Sequence, residues 1–379
     1  MNKKYCVINN DLTYFNLHRK KFINIIDKKN NKITLFFPQL FNSPKYEKNI
    51  KKLLDEGFQI KFFFLKRKNI NILYELWTFF TLFIRLFEGY NYAYTSTIKL
   101  NLHLIFLNLF FKSTLILHFS GLGYFYVNNK FLIRLIRNII ENLFKYFVKK
   151  NTLCIFENTE DLEYFTNKKK VFNDNNCLAI NGVGVNIQKF HPIIKNKSIF
   201  NVLMVSRITY EKGVDDYLSC YEYFKFNQNY KFILIGPYEK NKKNNKLLQK
   251  IKLYNKNNNF EYHEWINNIK TYYDIAHASI LPSYREGLSV FLLESLASGL
   301  PIISTNVTGN KALVKEDYNG YLVNINSPNE IKDSIMKLRN NKTIYDKFST
   351  NSRILANQIF DENIIIQKFK KFLTDKKIL

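Results

Sequence analysis

Pro282-Ser283-Tyr284-Arg285-Glu286-Gly287-Leu288-Ser289-Val290-Phe291-Leu292-Leu293-Glu294-Ser295-Leu296-Ala297-Ser298-Gly299-Leu300-Pro301 decides how this chain is read. The apolar run 278–281 before it is a short strand that stops at Pro282. A turn follows at Glu286-Gly287, and Ser289 is placed to cap a helix running to Ser298, because a serine oxygen accepts a first-turn backbone N–H. Gly299 and Pro301 end that helix. Backbone N–H groups near Gly287, Leu288 and Ser289 then form a helix amino terminus, which attracts phosphate. Glu286 stands just before that terminus, and Glu294 lies in the second turn among Leu292, Leu293 and Leu296. A carboxylate on so apolar a helix needs a partner: a neighbouring Arg or Lys, or the hydroxyls of a sugar.

Outward from this stretch the same alternation of strand and helix recurs. Short apolar runs at 4–9, 32–37, 58–65, 91–96, 113–119, 151–156 and 177–180 read as strands in the first half, and those at 200–206, 230–235, 259–263, 278–281 and 301–305 in the second. Helix-length segments between most of them predict parallel sheets with crossover helices, in numbers sufficient for two doubly wound α/β domains. Asn181-Gly182-Val183-Gly184 followed by His191-Pro192 is the best linker. Two such domains facing a central cleft would put ligands at the carboxyl ends of the strands.

The 379 residues suit two domains of ordinary size, and 35 Phe with 25 Tyr are enough to fill both cores. Cys6, Cys154, Cys177 and Cys220 are scattered without a C-x-x-C pair, so neither a zinc site nor a disulfide framework is expected. The chain opens Met1-Asn2-Lys3-Lys4 directly into a strand, without an apolar signal core, which predicts a cytoplasmic protein.

The formal net charge is +26, and it is uneven: residues 1–150 hold 25 basic and 8 acidic side chains, residues 151–379 hold 32 and 23. A basic first half is drawn to an anionic surface, either nucleic acid or the inner leaflet of a membrane. No zinc-finger, ribonucleoprotein or helix-turn-helix pattern accompanies the charge, which argues against nucleic acid. Along and flanking 131–148, Lys130, Arg134, Arg137, Glu141, Lys145 and Lys149 recur every three or four positions beside an otherwise apolar helix. That pattern fits an interfacial helix or a helix buried between the sheet and its neighbours; taken with the charge surplus it predicts a peripheral place on the inner face of the plasma membrane. The apolar stretches 73–87 and 101–111 are too short for the ~20 residues of a membrane span.

The spacing of Glu286 and Glu294, in Glu-Gly-Leu-Ser…Leu-Leu-Glu-Ser-Leu-Ala-Ser-Gly-Leu-Pro, resembles the paired-glutamate motif of family 4 glycosyltransferases. Val205-Ser206-Arg207-Ile208…Glu211-Lys212-Gly213 resembles that family's donor-diphosphate segment, Asn181–Phe190 its interdomain segment, and Asn306-Val307-Thr308-Gly309-Asn310…Val314 the loop after the next strand. In the first half, Asn9-Asn10-Asp11…Phe15…His18-Arg19, Thr97-Ile98-Lys99 and Gly121-Leu122-Gly123-Tyr124 echo a subgroup that assembles polysaccharide, lipopolysaccharide and lipid-linked oligosaccharide.

The resemblance implies a retaining enzyme of GT-B fold: an acceptor- and membrane-binding domain at 1–185, a nucleotide-sugar domain at 186–358, and a helix at 359–379 packing back on the first. It implies that Arg207 and Lys212 grip the leaving diphosphate together with the Gly287–Ser289 amides, that Glu286 holds sugar hydroxyls, and that Glu294 holds the ribose. Gly236, Gly121 and Gly123 complete the nucleotide-sugar set; Lys99, Arg19, His118 and Ser120 are the acceptor candidates. The position where many members carry a histidine falls on Ser120, with His118 two residues earlier. His118, His263 and His277 otherwise read as structural.

The expected donor is a nucleotide diphosphate sugar such as UDP-hexose or UDP-N-acetylhexosamine, the acceptor lipid-linked or a surface glycan. No metal is expected, the cations taking its place, and Asp215-Asp216 reads as a surface pair. A non-catalytic membrane scaffold on a degenerate fold is the alternative, against which the intact Arg207, Lys212, Glu286 and Glu294 set stands.

Overall fold

The computed structural model describes residues 2–39, 44–66, 71–122, 126, 130–194, 198–239 and 243–379. The chain divides into two compact units, Met1–Ile180 with Ile366–Leu379, and Asn181–Ile365.

The first unit is built on a seven-stranded sheet: β1 (Lys3–Ile8), β2 (Asn31–Pro38), β3 (Gln59–Phe63), β4 (Tyr92–Thr95), β5 (Thr114–Phe119), β6 (Leu153–Phe156) and β7 (Cys177–Ala179). Their order is β3-β2-β1-β4-β5-β6-β7, and every paired neighbour runs parallel. Strands such as Leu-Cys-Ile-Phe are buried along their whole length, because a parallel sheet is covered on both faces. The order reverses between β1 and β4, the switch point beside which sheets of this kind commonly bind ligands at the strands' carboxyl ends.

One face of the sheet carries helices Ile72–Leu86, Ile98–Leu107 and Phe131–Phe147. Asn71 and Thr97 cap the first two by accepting from Leu73 and Leu100 backbone N–H groups. They bury Leu82, Leu86, Leu100, Leu104, Ile140 and Phe144 against Phe119, Phe156, Phe165 and Phe172. The Phe119 and Phe156 rings stack at 4.7 Å. Burying each such ring contributes roughly 1.5–3 kcal/mol. On the other face the closing helix Glu362–Asp375 sets Phe369 against Phe22 at 5.1 Å, and Tyr5 donates to the Ile378 carbonyl at 2.7 Å.

The second unit holds β8 (Phe200–Val205), β9 (Tyr230–Ile235), β10 (Phe260–His263), β11 (Ala278–Leu281), β12 (Ile302–Thr305) and β13 (Gly320–Val323), ordered β10-β9-β8-β11-β12-β13 and all parallel. Strand β13 is absent from the sequence expectation. It is four residues long, starts on a glycine, and is defined by its ladder to β12, Ile302 opposite Gly320.

Two sequence readings are corrected here. Glu141 does not sit on an outward polar stripe: it is buried, accepting from the Tyr164 hydroxyl at 2.6 Å and pairing with Lys169 at 2.9 Å. The Phe131–Phe147 helix instead turns Phe131, Leu132, Leu135, Ile139 and Tyr146 outward with Arg134 and Lys145. Asp216 is likewise no surface residue; it is buried and accepts the Asn326 backbone N–H at 3.2 Å, while Asp215 pairs with Lys250. No helix among the described residues is long and apolar enough to cross a membrane.

Candidate active site

In the second unit β8, β9, β11 and β12 end on one edge of the sheet, and the candidate residues lie in the turns that leave them. The turns are fitted to one another by backbone contact. Gly213 has φ +70°, and a Cβ there would stand 1.9 Å from the Pro282 carbonyl oxygen, so only glycine lets the Lys212 turn rest on the end of β11. Gly236 has φ +147°, and its Cβ would meet the Ser206 carbonyl oxygen at 1.9 Å, which seats the Arg207 turn on the end of β9. Its own N–H goes to the His263 carbonyl at 2.9 Å and its carbonyl accepts from the Tyr262 hydroxyl at 3.2 Å. Gly236 therefore serves the site through close approach and not through a free amide. Further ties are Tyr284 N–H to the Glu211 carbonyl at 3.0 Å, Ile208 N–H to the Pro237 carbonyl at 3.0 Å, and the Thr305 hydroxyl to the Ser283 carbonyl.

Lys212 and Glu286, 74 residues apart, come together: Nζ donates to Oε1 at 2.5 Å, with the Glu286 side chain 9% exposed. Directly after Glu286 the helix Val290–Ala297 begins, with Ser289 as its cap accepting from Leu292 N–H at 3.5 Å. Among the described residues no acceptor takes the backbone N–H groups of Gly287, Leu288 or Ser289. A cation and unsatisfied amides at the positive end of a helix form a place for a phosphate.

Arg207 faces a different carboxylate, donating from Nη1 to Glu239 Oε1 at 2.8 Å, with more than half of its side chain exposed. Glu239 was not picked out from the sequence; its only signal is its place three residues beyond Gly236, in the turn next to that of Arg207.

Glu294 accepts from the Tyr273 hydroxyl at 2.7 Å on Oε2. Burial pushes its carboxyl up to about 7, against the opposing pull of Tyr273 and Lys189. Tyr273 is a second residue the sequence reading missed, since a buried Tyr in a six-residue helix, Lys270–Ile275, reads as core. Among the described residues no group of three or more His, Cys, Asp or Glu side chains is arranged to hold a metal ion.

The acceptor candidates lie in the first unit. Arg19 presents no charge to solvent there: it is wholly buried, paired with Glu157, and donates to the Tyr14 hydroxyl at 3.1 Å. His118 is also fully buried, its Nδ1 at 2.7 Å from the Tyr94 hydroxyl and its Nε2 3.3 Å from Glu157. Burial, reinforced by Arg19, lowers the imidazole to about 4. Burial alone would raise the Glu157 carboxyl, but Arg19 and His118 hold it at about 2. The cluster is thus a neutral imidazole beside a buried ion pair, which ties β5 and the end of β6 to the segment after β1. Lys99 is spoken for by Glu75 at 2.6 Å and the Lys66 carbonyl at 2.9 Å, and the Ser120 hydroxyl donates to the Ser96 carbonyl at 3.1 Å. Gly121 has φ +118° just past β5; Gly123 lies outside the described residues. His277 is structural, accepting Asn201 N–H at 3.0 Å, and His263 stands against Glu261 and Tyr272.

Two parallel-sheet α/β units of this topology define a GT-B fold. Its comparison with a solved structure agrees: Anabaena HepE, in complex with UDP and glucose, superposes with a TM-score of 0.77 at 15% identity, covering 98% of this chain and all of that one. Residues 186–354 match the family model for glycosyl transferases group 1. The N,N'-diacetylbacillosaminyl-diphospho-undecaprenol alpha-1,3-N-acetylgalactosaminyltransferase of Campylobacter jejuni is 27% identical over 276 residues, 66% of this chain and 68% of its own length. The UDP-Gal:alpha-D-GlcNAc-diphosphoundecaprenol alpha-1,3-galactosyltransferase of Escherichia coli is 24% identical over 216 residues, 52% of this chain and 53% of its own. The chain carries a glycosyl transferases group 1 domain and is a glycosyltransferase.

Proposed function

We propose that this glycosyltransferase moves a hexose or N-acetylhexosamine, with retention, from a uridine-diphosphate donor to a lipid-linked acceptor at an anionic membrane surface. The observation that carries the donor half is the meeting of Lys212 and Glu286 beside the open amides of the Val290–Ala297 helix.

In this reading Lys212, as a point charge, and Arg207, with its planar fork, receive the two phosphates, and the Gly287–Ser289 amides add fixed dipoles. These groups stabilise the negative charge that grows on the leaving diphosphate as the bond from the anomeric carbon to oxygen breaks. They do so without a divalent ion. The acceptor hydroxyl attacks the anomeric carbon from the same face and passes its proton to the departing phosphate oxygen, leaving free nucleoside diphosphate. Glu286 holds hydroxyls of the transferred sugar, and Glu294 those of the ribose.

The lipid-linked acceptor is supported by two relatives whose names specify undecaprenol-diphosphate substrates, and the uridine donor by one of those names and by the UDP held in HepE. Membrane contact is supported by the first unit's surface. Ile72, Leu73, Leu76, Trp77 and Phe80 are exposed on one helix and Phe131, Leu132, Leu135 and Ile139 on another, with Arg134, Lys145 and Lys149 exposed beside the latter. Apolar side chains flanked by cations suit a headgroup boundary of negative charge.

The test is nucleoside diphosphate release from a panel of donors, with a polyprenyl-diphosphate saccharide as acceptor. Release from a UDP-sugar, reduced at least a hundred-fold in Lys212→Ala and Glu286→Ala, supports the reading. Variants as fast as the parent overturn the site, and no release from any donor favours a non-catalytic scaffold.

A further inference from the structure

We propose that Tyr273 is a positioning residue for the nucleotide end of the donor: its hydroxyl occupies Oε2 of Glu294 and leaves Oε1 to accept from the ribose hydroxyls. The inference rests on the proposed function, in which Glu294 meets the ribose.

The geometry is specific. Tyr273 is fully buried, and its hydroxyl lies 2.7 Å from Glu294 Oε2 and 3.4 Å from the Phe291 carbonyl oxygen, one turn earlier on the same helix. Its ring is held edge-on by Phe190 at 5.3 Å. Phe190 is itself fixed, because Arg353 donates to its carbonyl at 2.8 Å, to that of Ala297 at 2.7 Å and to that of Ile187 at 3.1 Å. One guanidinium thus ties the segment carrying Phe190 to the carboxyl end of the helix that carries Glu294.

A carboxylate has two oxygens and several rotamers; a donor fixed on one oxygen removes the alternatives and aims the other. Burial and the Glu294 charge hold the Tyr273 phenol well above its ordinary range, so it remains a hydrogen donor at any working pH. The charged and titratable groups acting on Glu294 are Tyr273 from its own short helix and Lys189 from the Phe190 segment, and both favour the ionised carboxyl over the burial that opposes it. The ionised form is the stronger acceptor and carries no proton that would have to be placed against the ribose hydroxyls or the phenol. Without the phenol, Glu294 takes a proton at higher pH and its carboxyl rotates freely.

The experiment is UDP affinity by calorimetry and donor kinetics between pH 6 and pH 9, for the parent, Tyr273→Phe and Glu294→Ala, with 2′-deoxy-UDP as the second probe. At pH 7, Tyr273→Phe is expected to weaken UDP and raise donor KM roughly ten-fold while kcat stays within about two-fold, the size of one lost charge-assisted hydrogen bond. The acid limb of kcat/KM moves to higher pH, affinity recovers toward pH 9, and the penalty shrinks with 2′-deoxy-UDP. Parent-like UDP affinity and an unmoved limb in Tyr273→Phe overturn the inference. So does an equal loss of kcat and kcat/KM that pH 9 does not restore. A parent protein that fails to bind UDP at any pH overturns the donor reading itself, and the inference with it.

Discussion

The ammonium of Lys212 lies 2.5 Å from Glu286 Oε1 although the two residues are 74 positions apart, and the turn bearing Lys212 rests on the end of the strand that leads to Glu286. In the function proposed above, the cation that would meet the diphosphate is paired with the carboxylate that would hold the sugar. Removing either partner should have separable effects. Glu286→Gln keeps the ammonium and loosens its counter-charge, so UDP is expected to bind as well as before or a few-fold tighter while turnover falls at least a hundred-fold. Stopped turnover with retained UDP binding, measured on one preparation, is the check.

Arg207 is balanced in the same way by Glu239 at 2.8 Å, on a more exposed surface. In the proposed function an incoming phosphate would compete with that carboxylate for the guanidinium. Exposed pairs of this kind are worth about 0–1 kcal/mol. Glu239→Gln is therefore expected to tighten UDP by up to roughly five-fold and to steepen its salt dependence, both read from calorimetry at two ionic strengths.

The buried Arg19–Glu157–His118 cluster contributes to the acid stability of the first unit, beside His18, whose imidazole is also lowered by burial to about 4. Glu157 has a folded pKa of about 2, below the ordinary 4.5, so its contribution is full above 4.5 and is lost as pH falls toward 2. His118 has a folded pKa of about 4, below 6.5; between those values the unfolded chain takes up a proton that the folded chain refuses. Both signs agree: stability falls as pH drops from about 6.5. Glu157→Gln strands the Arg19 charge and is expected to cost about 3–5 kcal/mol. His118→Gln should flatten the limb between pH 6.5 and 4 in denaturant titrations.

Membrane contact predicts flotation with vesicles containing anionic lipid, weakened by salt. Replacing Phe131, Leu132 and Leu135 by Ser should abolish flotation with little loss of stability, since the first two side chains are largely exposed and the third is about half exposed. Equal flotation on neutral and anionic vesicles would contradict the role given to the basic residues.

Much of this was readable in the amino-acid order, for a physical reason. Buried parallel strands are short apolar runs, and twelve of the thirteen stand out as such; β13 does not, because its four residues become a strand only through pairing with β12. Lys212 and Glu286 are legible because each sits in a local pattern of turn and helix start. Glu239 and Tyr273 are not, since their roles come from contacts made across 32 and 21 residues. Glu141 shows the same limit in reverse: helical spacing put it on a polar face, but Tyr164 and Lys169 supply the partners that let it be buried.

The most direct measurement is the calorimetric affinity of UDP for the parent protein and for Lys212→Ala at the same pH and salt. Loss of a charge-assisted phosphate contact predicts a Kd higher by roughly ten-fold to a hundred-fold in the variant. Equal affinities would mean that the phosphates lie elsewhere, and that the pairing of Lys212 with Glu286 is only a brace between two turns.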